Sequence, residues 1–162
     1  FLLSRIFKNS EIDTIDLDSN TNEFKYSYDR DNQIKEFSNN RNSILKKDKN
    51  IKFIEMNSIK LCNHDKKYDL IWIDGAHGYP VVCIDILNSL RLLNENGFIM
   101  CDDVYINKIE SDKMYSSIAA YEVLTELQKE KIVSFDLIYK RLDVENNSSE
   151  RNRKFIAIIK KI

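Results

Sequence analysis

The polar and apolar positions along this chain fall into alternating short segments. Residues 1–8 carry apolar side chains at 2, 3, 6 and 7, a helical spacing that Asn9-Ser10 would end. Residues 12–17 alternate Ile12, Thr14/Ile15 and Leu17 with acids and read as a short strand closing on Asp16-Leu17-Asp18. The polar residues 19–31, with Tyr26 and Tyr28, show no period. Ile34, Phe37, Arg41, Ile44 and Leu45 then mark one face of a helix. Residues 51–56 form a second strand ending at Asn57-Ser58, and a short, helical link leads to a third, Tyr68–Ile73. Pro80 suits a first helical position, and Val82, Ile86, Leu90 and Leu93 continue that helix to a stop at Asn96-Gly97. A strand over 98–101 follows. Residues 115–131 form a helix capped by Ser116 or Ser117, with Ile118, Tyr121, Leu124, Leu127 and Gln128 along it. Residues 133–142 and 155–162 read as strands with no helix between them, hence an antiparallel hairpin.

Strand, helix and strand in succession make a βαβ unit, whose strands run parallel. The order predicts a single α/β domain over residues 1–162, and ligands of such sheets bind beyond the carboxyl ends of the strands. The run Leu70-Ile-Trp-Ile73 stops at Asp74-Gly75, with His77 following; the run Phe98–Cys101 stops at Asp102-Asp103. These acids and His77 are the candidate site.

At 162 residues, 43% hydrophobic and 31% charged, the chain can bury a core of its own. Its net charge of −1 gives no overall field toward nucleic acid or an anionic membrane. The basic groups at 46–49 and 151–154 read as solvated loops. No apolar run approaches the ~18 residues of a membrane span. Three widely spaced cysteines, Cys62, Cys83 and Cys101, offer no C-x-x-C pattern and imply a reducing, cytoplasmic setting. Only Gly75, Gly78 and Gly97 are present, too few and too scattered for a G-x-G-x-x-G or Walker loop. The first residues open in mid-pattern and lack an initiator Met, so an upstream segment is expected.

The segments Ile71-Trp-Ile-Asp-Gly-Ala-His-Gly-Tyr79, Leu92-Leu-Asn-Glu-Asn-Gly97 and Ile99-Met-Cys-Asp-Asp-Val104, with Thr14-Ile-Asp-Leu-Asp18, resemble class I S-adenosylmethionine-dependent methyltransferases. The likeness is to an Asp-Gly-x-His branch similar to the catechol-type O-methyltransferases, and it spans most of the chain. It implies a Rossmann-like methyltransferase fold, a mostly parallel sheet with a C-terminal antiparallel hairpin, whose first strand and Gly-rich loop are missing here. Asp16, with Leu17, would hold the cofactor ribose, with Asp18 as the neighbouring alternative and a solvated loop acid or helix cap as the plain reading. Asn57 and Ser58 would meet the adenine or be ordinary loop residues. Asp74 and Gly75 would contact the cofactor. Asp74, Asp102 and Asp103 together would suit Mg²⁺, against a reading in which the last two merely cap a turn. His77 would be the base for a hydroxyl group of a small-molecule acceptor. Tyr79 and Tyr105 would line the acceptor pocket or serve packing alone; His64 gets no role. Two other functions stay open: a non-catalytic interaction domain keeping the fold, and a nicotinamide-dependent oxidoreductase, which a ribose-binding acid also suits. Homo-oligomerisation is left open as well.

Overall fold

The computed structural model describes residues 2–22, 24–25, 34–107, 117–141 and 154–162. Tyr26, Tyr28, the cap at Ser116 and the basic group 151–153 lie outside them. The elements in chain order are α1 (Leu2–Ile6), β1 (Ile12–Asp16), α2 (Ile34–Leu45), β2 (Ile51–Glu55), a 3-10 turn (Ser58–Asn63), β3 (Tyr68–Ile73), α3 (Val81–Leu92), β4 (Leu93–Tyr105), α4 (Ala119–Lys129), β5 (Val133–Arg141) and β6 (Lys154–Lys161). The expected alternation of helices and strands is present throughout. No helix among the described residues is long and apolar enough to cross a membrane.

The chain divides into two compact units, residues 1–61 and 62–162. In the first, β1 and β2 pair in parallel, from Ile12 opposite Ile51 to Asp16 opposite Glu55. Both strands therefore end at the same edge, with Leu17 and Asn57 just beyond. The fully buried Phe24 meets Phe37 of α2 at 6.0 Å between ring centroids.

In the second unit the sheet order is β3-β4-β6-β5. β3 and β4 are parallel, as a helical crossover requires, and β6 runs antiparallel to both β4 and β5. Among the described strands the pairing is thus half parallel rather than mostly so, because the hairpin supplies two of the four ladders. Val82, Ile86 and Leu90 of α3 and Ala120 and Leu124 of α4 cover the sheet residues Ile99, Cys101 and Ile159. The buried Val, Leu and Ile side chains among them each stabilise the fold by about 1.5–3 kcal/mol through burial. Ser117 Oγ accepts the Ala119 N–H at 3.1 Å ahead of α4, close to its expected capping role.

Both ends of α3 differ from the sequence expectation. α3 ends at Leu92, because Leu93 turns extended (φ −73°, ψ 136°) and pairs with Tyr68. Pairing then resumes at Leu70 opposite Phe98, so the register shifts across 94–97. Pro80 stands at the N-cap rather than inside the first turn. The Asn96-Gly97 pair is thus no helix stop. Gly97 is small because a Cβ there would lie 2.8 Å from the Asp69 carbonyl oxygen and 2.9 Å from Leu93 Cδ1. Gly97→Ala is therefore expected to destabilise by about 1–3 kcal/mol through overpacking, read as a lower urea midpoint.

Candidate functional site

In the first unit, Asp16 closes β1 and its carboxylate is held from two sides. Oδ1 accepts the Leu17 N–H at 2.8 Å, and Oδ2 accepts from Arg41 Nη1 at 2.9 Å. Arg41 also reaches Glu55 at 3.3 Å, and its guanidinium lies over the Phe53 ring at 4.5 Å and the Phe24 ring at 5.2 Å. A planar cation can stack on rings while its fork faces carboxylates. Asn57 Oδ1 accepts the Ile59 N–H at 3.0 Å and so shapes the turn after β2. Asp16, Leu17, Asn57 and Ser58 thus share one sheet edge.

In the second unit, Asp74 and Gly75 follow β3, and Ile73 pairs with Cys101, which brings Asp74 to the level of Asp102. Asp102 and Asp103 do not follow β4 but lie within it. The β4–β6 register breaks between Cys101 and Val104, and Asp103 adopts φ 51°. Such bulges turn side chains in directions a regular strand cannot offer. The Asp103 N–H donates to Asp102 Oδ1 at 2.8 Å.

The hairpin contributes two cations. Lys140 Nζ donates to both Asp102 oxygens at 2.6 Å and to Asp103 Oδ1 at 2.9 Å; Lys154 Nζ donates to Asp103 Oδ2 at 2.8 Å. This corrects the Mg²⁺ expectation. Among the described residues no group of three His, Cys, Asp or Glu side chains could hold a metal ion. Asp74, Asp102 and Asp103 do not form such a set, since ammonium groups already occupy the last two.

His77 is 3% exposed, and its Nδ1 has no hydrogen-bond partner among the described residues. Its Nε2 stands 3.9 Å from Asp74 Oδ1, beyond hydrogen-bond reach. Burial pushes the imidazole below its ordinary range, partly offset by the charges of Asp103, Asp74 and Asp102. Burial thus favours its neutral form. Partial desolvation, then the Asp102 charge, pushes Asp74 up. Burial alone would raise Asp103, but hydrogen bonds from Lys154 and Lys140, and their charges, bring it below the usual carboxylate range. A carboxylate lowered on folding stabilises above its unfolded pKa near ~3.9, and that contribution disappears as pH falls through its folded value. Asp103→Asn is accordingly expected to flatten the fall in stability below about pH 4, measured by urea unfolding across pH.

Other expectations separate cleanly. Burial drives the Cys101 thiol up to about 12, leaving it an inert hydrophobe. Tyr79 is exposed, whereas Tyr105 is buried beneath Lys154, 5.5 Å from its ring centroid. His64 bonds the Tyr68 hydroxyl at 3.0 Å, a structural contact. An open, polar cavity of about 460 Å³ lies at the amino ends of β3 and β4, lined by Lys67, Asn94, Glu95 and Lys161. Lys67 and Lys161 there bond the carbonyls of Arg91 and Leu93, satisfying the end of α3. Lys140, Lys154 and the pairing role of Arg41 were missed by sequence reasoning. Arg41 did carry a signal, since a charge on an otherwise apolar helix face requires a partner.

Asp74 beyond the end of β3, the acid pair within β4 and the buried imidazole of His77 thus stand on an α/β fold. The chain belongs to a methyltransferase family: a model described as "Methyltransferase domain" matches residues 1–104. No curated protein sequence matches the chain. Among solved structures it is similar to a Klebsiella pneumoniae protein provisionally described as an O-methyltransferase, with 13% identity, 93% of this chain covered and a TM-score of 0.55. The O-methyltransferase TomG of Streptomyces achromogenes, involved in tomaymycin synthesis and solved with SAM, shows 10% identity over 92% of this chain at a TM-score of 0.55. Precorrin-6y C5,15-methyltransferase of Geobacter metallireducens shows 16% over 99% at 0.54. At these identities the likeness concerns the fold. The chain spans 61%, 60% and 71% of the lengths of these three proteins, respectively.

Proposed function

We propose that the protein transfers a methyl group from S-adenosylmethionine to a hydroxyl oxygen of a small molecule, with His77 as the base. The observation that carries this reading is the imidazole itself. It is buried, which favours its neutral form, and its Nδ1 has no partner among the described residues. A buried polar atom without a partner is costly, and a function is one reason to retain it. The similar structures add support, TomG being an O-methyltransferase solved with SAM.

Asp16, Leu17, Asn57 and Ser58 are proposed to hold the cofactor; Asp74 and Gly75 are proposed separately as cofactor contacts. The Asp16 carboxylate, aimed by Arg41 and the Leu17 N–H, suits hydroxyl donors such as those of a ribose. When bound, S-adenosylmethionine supplies an electrophilic methyl group. The chain's part is to orient the acceptor for an in-line approach and to take the hydroxyl proton on His77. Asp74, beside the ring, stabilises the imidazolium that results.

The test is calorimetric titration of S-adenosylhomocysteine into the protein. Saturable binding, weakened at least tenfold by Asp16→Ala, supports the reading; no binding sinks it. Gly75→Ala adds a finer probe. A Cβ there meets only Asp85 Oδ2, at an ordinary 3.5 Å. The substitution is expected to leave the unfolding midpoint unchanged and to weaken cofactor binding, provided the cofactor approaches this backbone closely.

A further inference from the structure

Asp102 and Asp103 come with cations built in. The three protons of Lys140 meet three carboxylate oxygens, two of Asp102 and one of Asp103. Lys154 serves the remaining Asp103 oxygen, bonds Tyr105 and lies over its ring. Both lysines come from the C-terminal hairpin, and both face the bulge where Asp103 takes its positive φ. A regular strand would send these two neighbouring acids to opposite faces; the bulge lets one lysine bridge them.

We propose that Lys140 and Lys154 are the resident counter-cations of Asp102 and Asp103, standing where a divalent ion was expected, so that the site works without Mg²⁺. The lysines are positioning residues. They fix the acid pair and set the charge around His77, touching no reacting atom. Mg²⁺ would need to strip both carboxylates of their ammonium partners, and it sheds its own water reluctantly. The displaced ammonium of Lys140, partly buried, would lose all three acceptors.

The groups that face His77 electrostatically are Asp74, Asp102 and Asp103, which favour its protonation, and Lys154, which opposes it. Removing the Lys154 charge should therefore raise the His77 pKa, a directional effect that loss of packing would not produce. This inference deepens the methyltransferase reading, but its test needs no turnover.

The experiment is an NMR titration of the two histidines, with His64→Gln assigning them, combined with Mn²⁺ as a paramagnetic probe. The wild-type protein is expected to show no selective broadening of His77 by Mn²⁺. Lys140→Met keeps the aliphatic stem and removes the charge; it should bind Mn²⁺ at least tenfold more tightly than wild type, with His77 broadened. Lys154→Met should move the His77 titration to higher pH. Selective broadening of His77 in wild type at Mn²⁺ concentrations equal to those needed in Lys140→Met would overturn the proposal. A His77 titration unmoved in folded Lys154→Met would overturn it too, and that arm decides if Lys140→Met fails to fold. Methyltransferase function fails separately, by absent S-adenosylhomocysteine binding alongside the Mn²⁺ and titration results expected here.

Discussion

His77→Ala is expected to lower kcat by about 10²–10⁴-fold, the range for losing a general base, while S-adenosylhomocysteine still binds as in wild type. The split follows from the proposed role. His77 takes the acceptor's proton, whereas Asp16, Leu17, Asn57 and Ser58 are proposed for the cofactor. The pH profile carries a second expectation. Burial holds the imidazole below its ordinary value against three nearby carboxylates, so kcat/KM should rise and level off at lower pH than an unperturbed imidazole near ~6.5 would give. The same shift gives acid a defined effect on stability. Below about 6.5 the unfolded chain takes up a proton that the folded chain resists, so this contribution is lost as pH falls. Turnover intact in His77→Ala, or a profile unchanged by it, would remove the base assignment.

The range of acceptors among the structural neighbours bears on what else can be expected. TomG is an O-methyltransferase and the Geobacter protein methylates the C5 and C15 positions of a precorrin, yet both share the fold at TM-scores of 0.55 and 0.54. The fold therefore names no acceptor. Under the proposed function, discrimination falls to the groups around His77, and for an oxygen acceptor the imidazole is the proposed base.

Much of this arrangement was legible in the sequence where the signal is local. β3 was read to the residue, because an apolar run closed by Asp-Gly is both a strand and its stop. The edge shared by Asp16 and Asn57 followed from two such strands in parallel. What escaped depends on distant partners. Phe98–Cys101 looked complete because its apolar run ends there, yet pairing with β6 carries β4 on to Tyr105. Asn96-Gly97 imitates a helix stop, but the glycine answers to the Asp69 carbonyl of a neighbouring strand. The Mg²⁺ expectation finds no support for the same reason. Lys140 lies 38 residues from Asp102, and Lys154 lies 51 from Asp103. No local pattern ties those lysines to the acids; the hairpin's register does.

That dependence on the hairpin leads to the largest expected effect on stability. Ile159 is fully buried, opposite Ile99 on one side and Phe135 on the other. Ile159→Ala should cost about 2–5 kcal/mol, the methylene loss plus a cavity that two flanking strands cannot close. Against the roughly 5–15 kcal/mol that domains usually possess, this is a large share. Ile138, on the same hairpin but 47% exposed, is the control, and its truncation should change stability by less than about 0.5 kcal/mol. Urea unfolding can be followed at two points of the second unit: fluorescence of Trp72, the single tryptophan, on β3, and the His77 resonance beside the lysine-bearing acids. Coincident transitions in Ile159→Ala would mean that β3 and the surroundings of His77 are lost together. Were the His77 signal to change at lower urea than Trp72, the surroundings of His77, the acid pair among them, would be lost before the sheet that carries them.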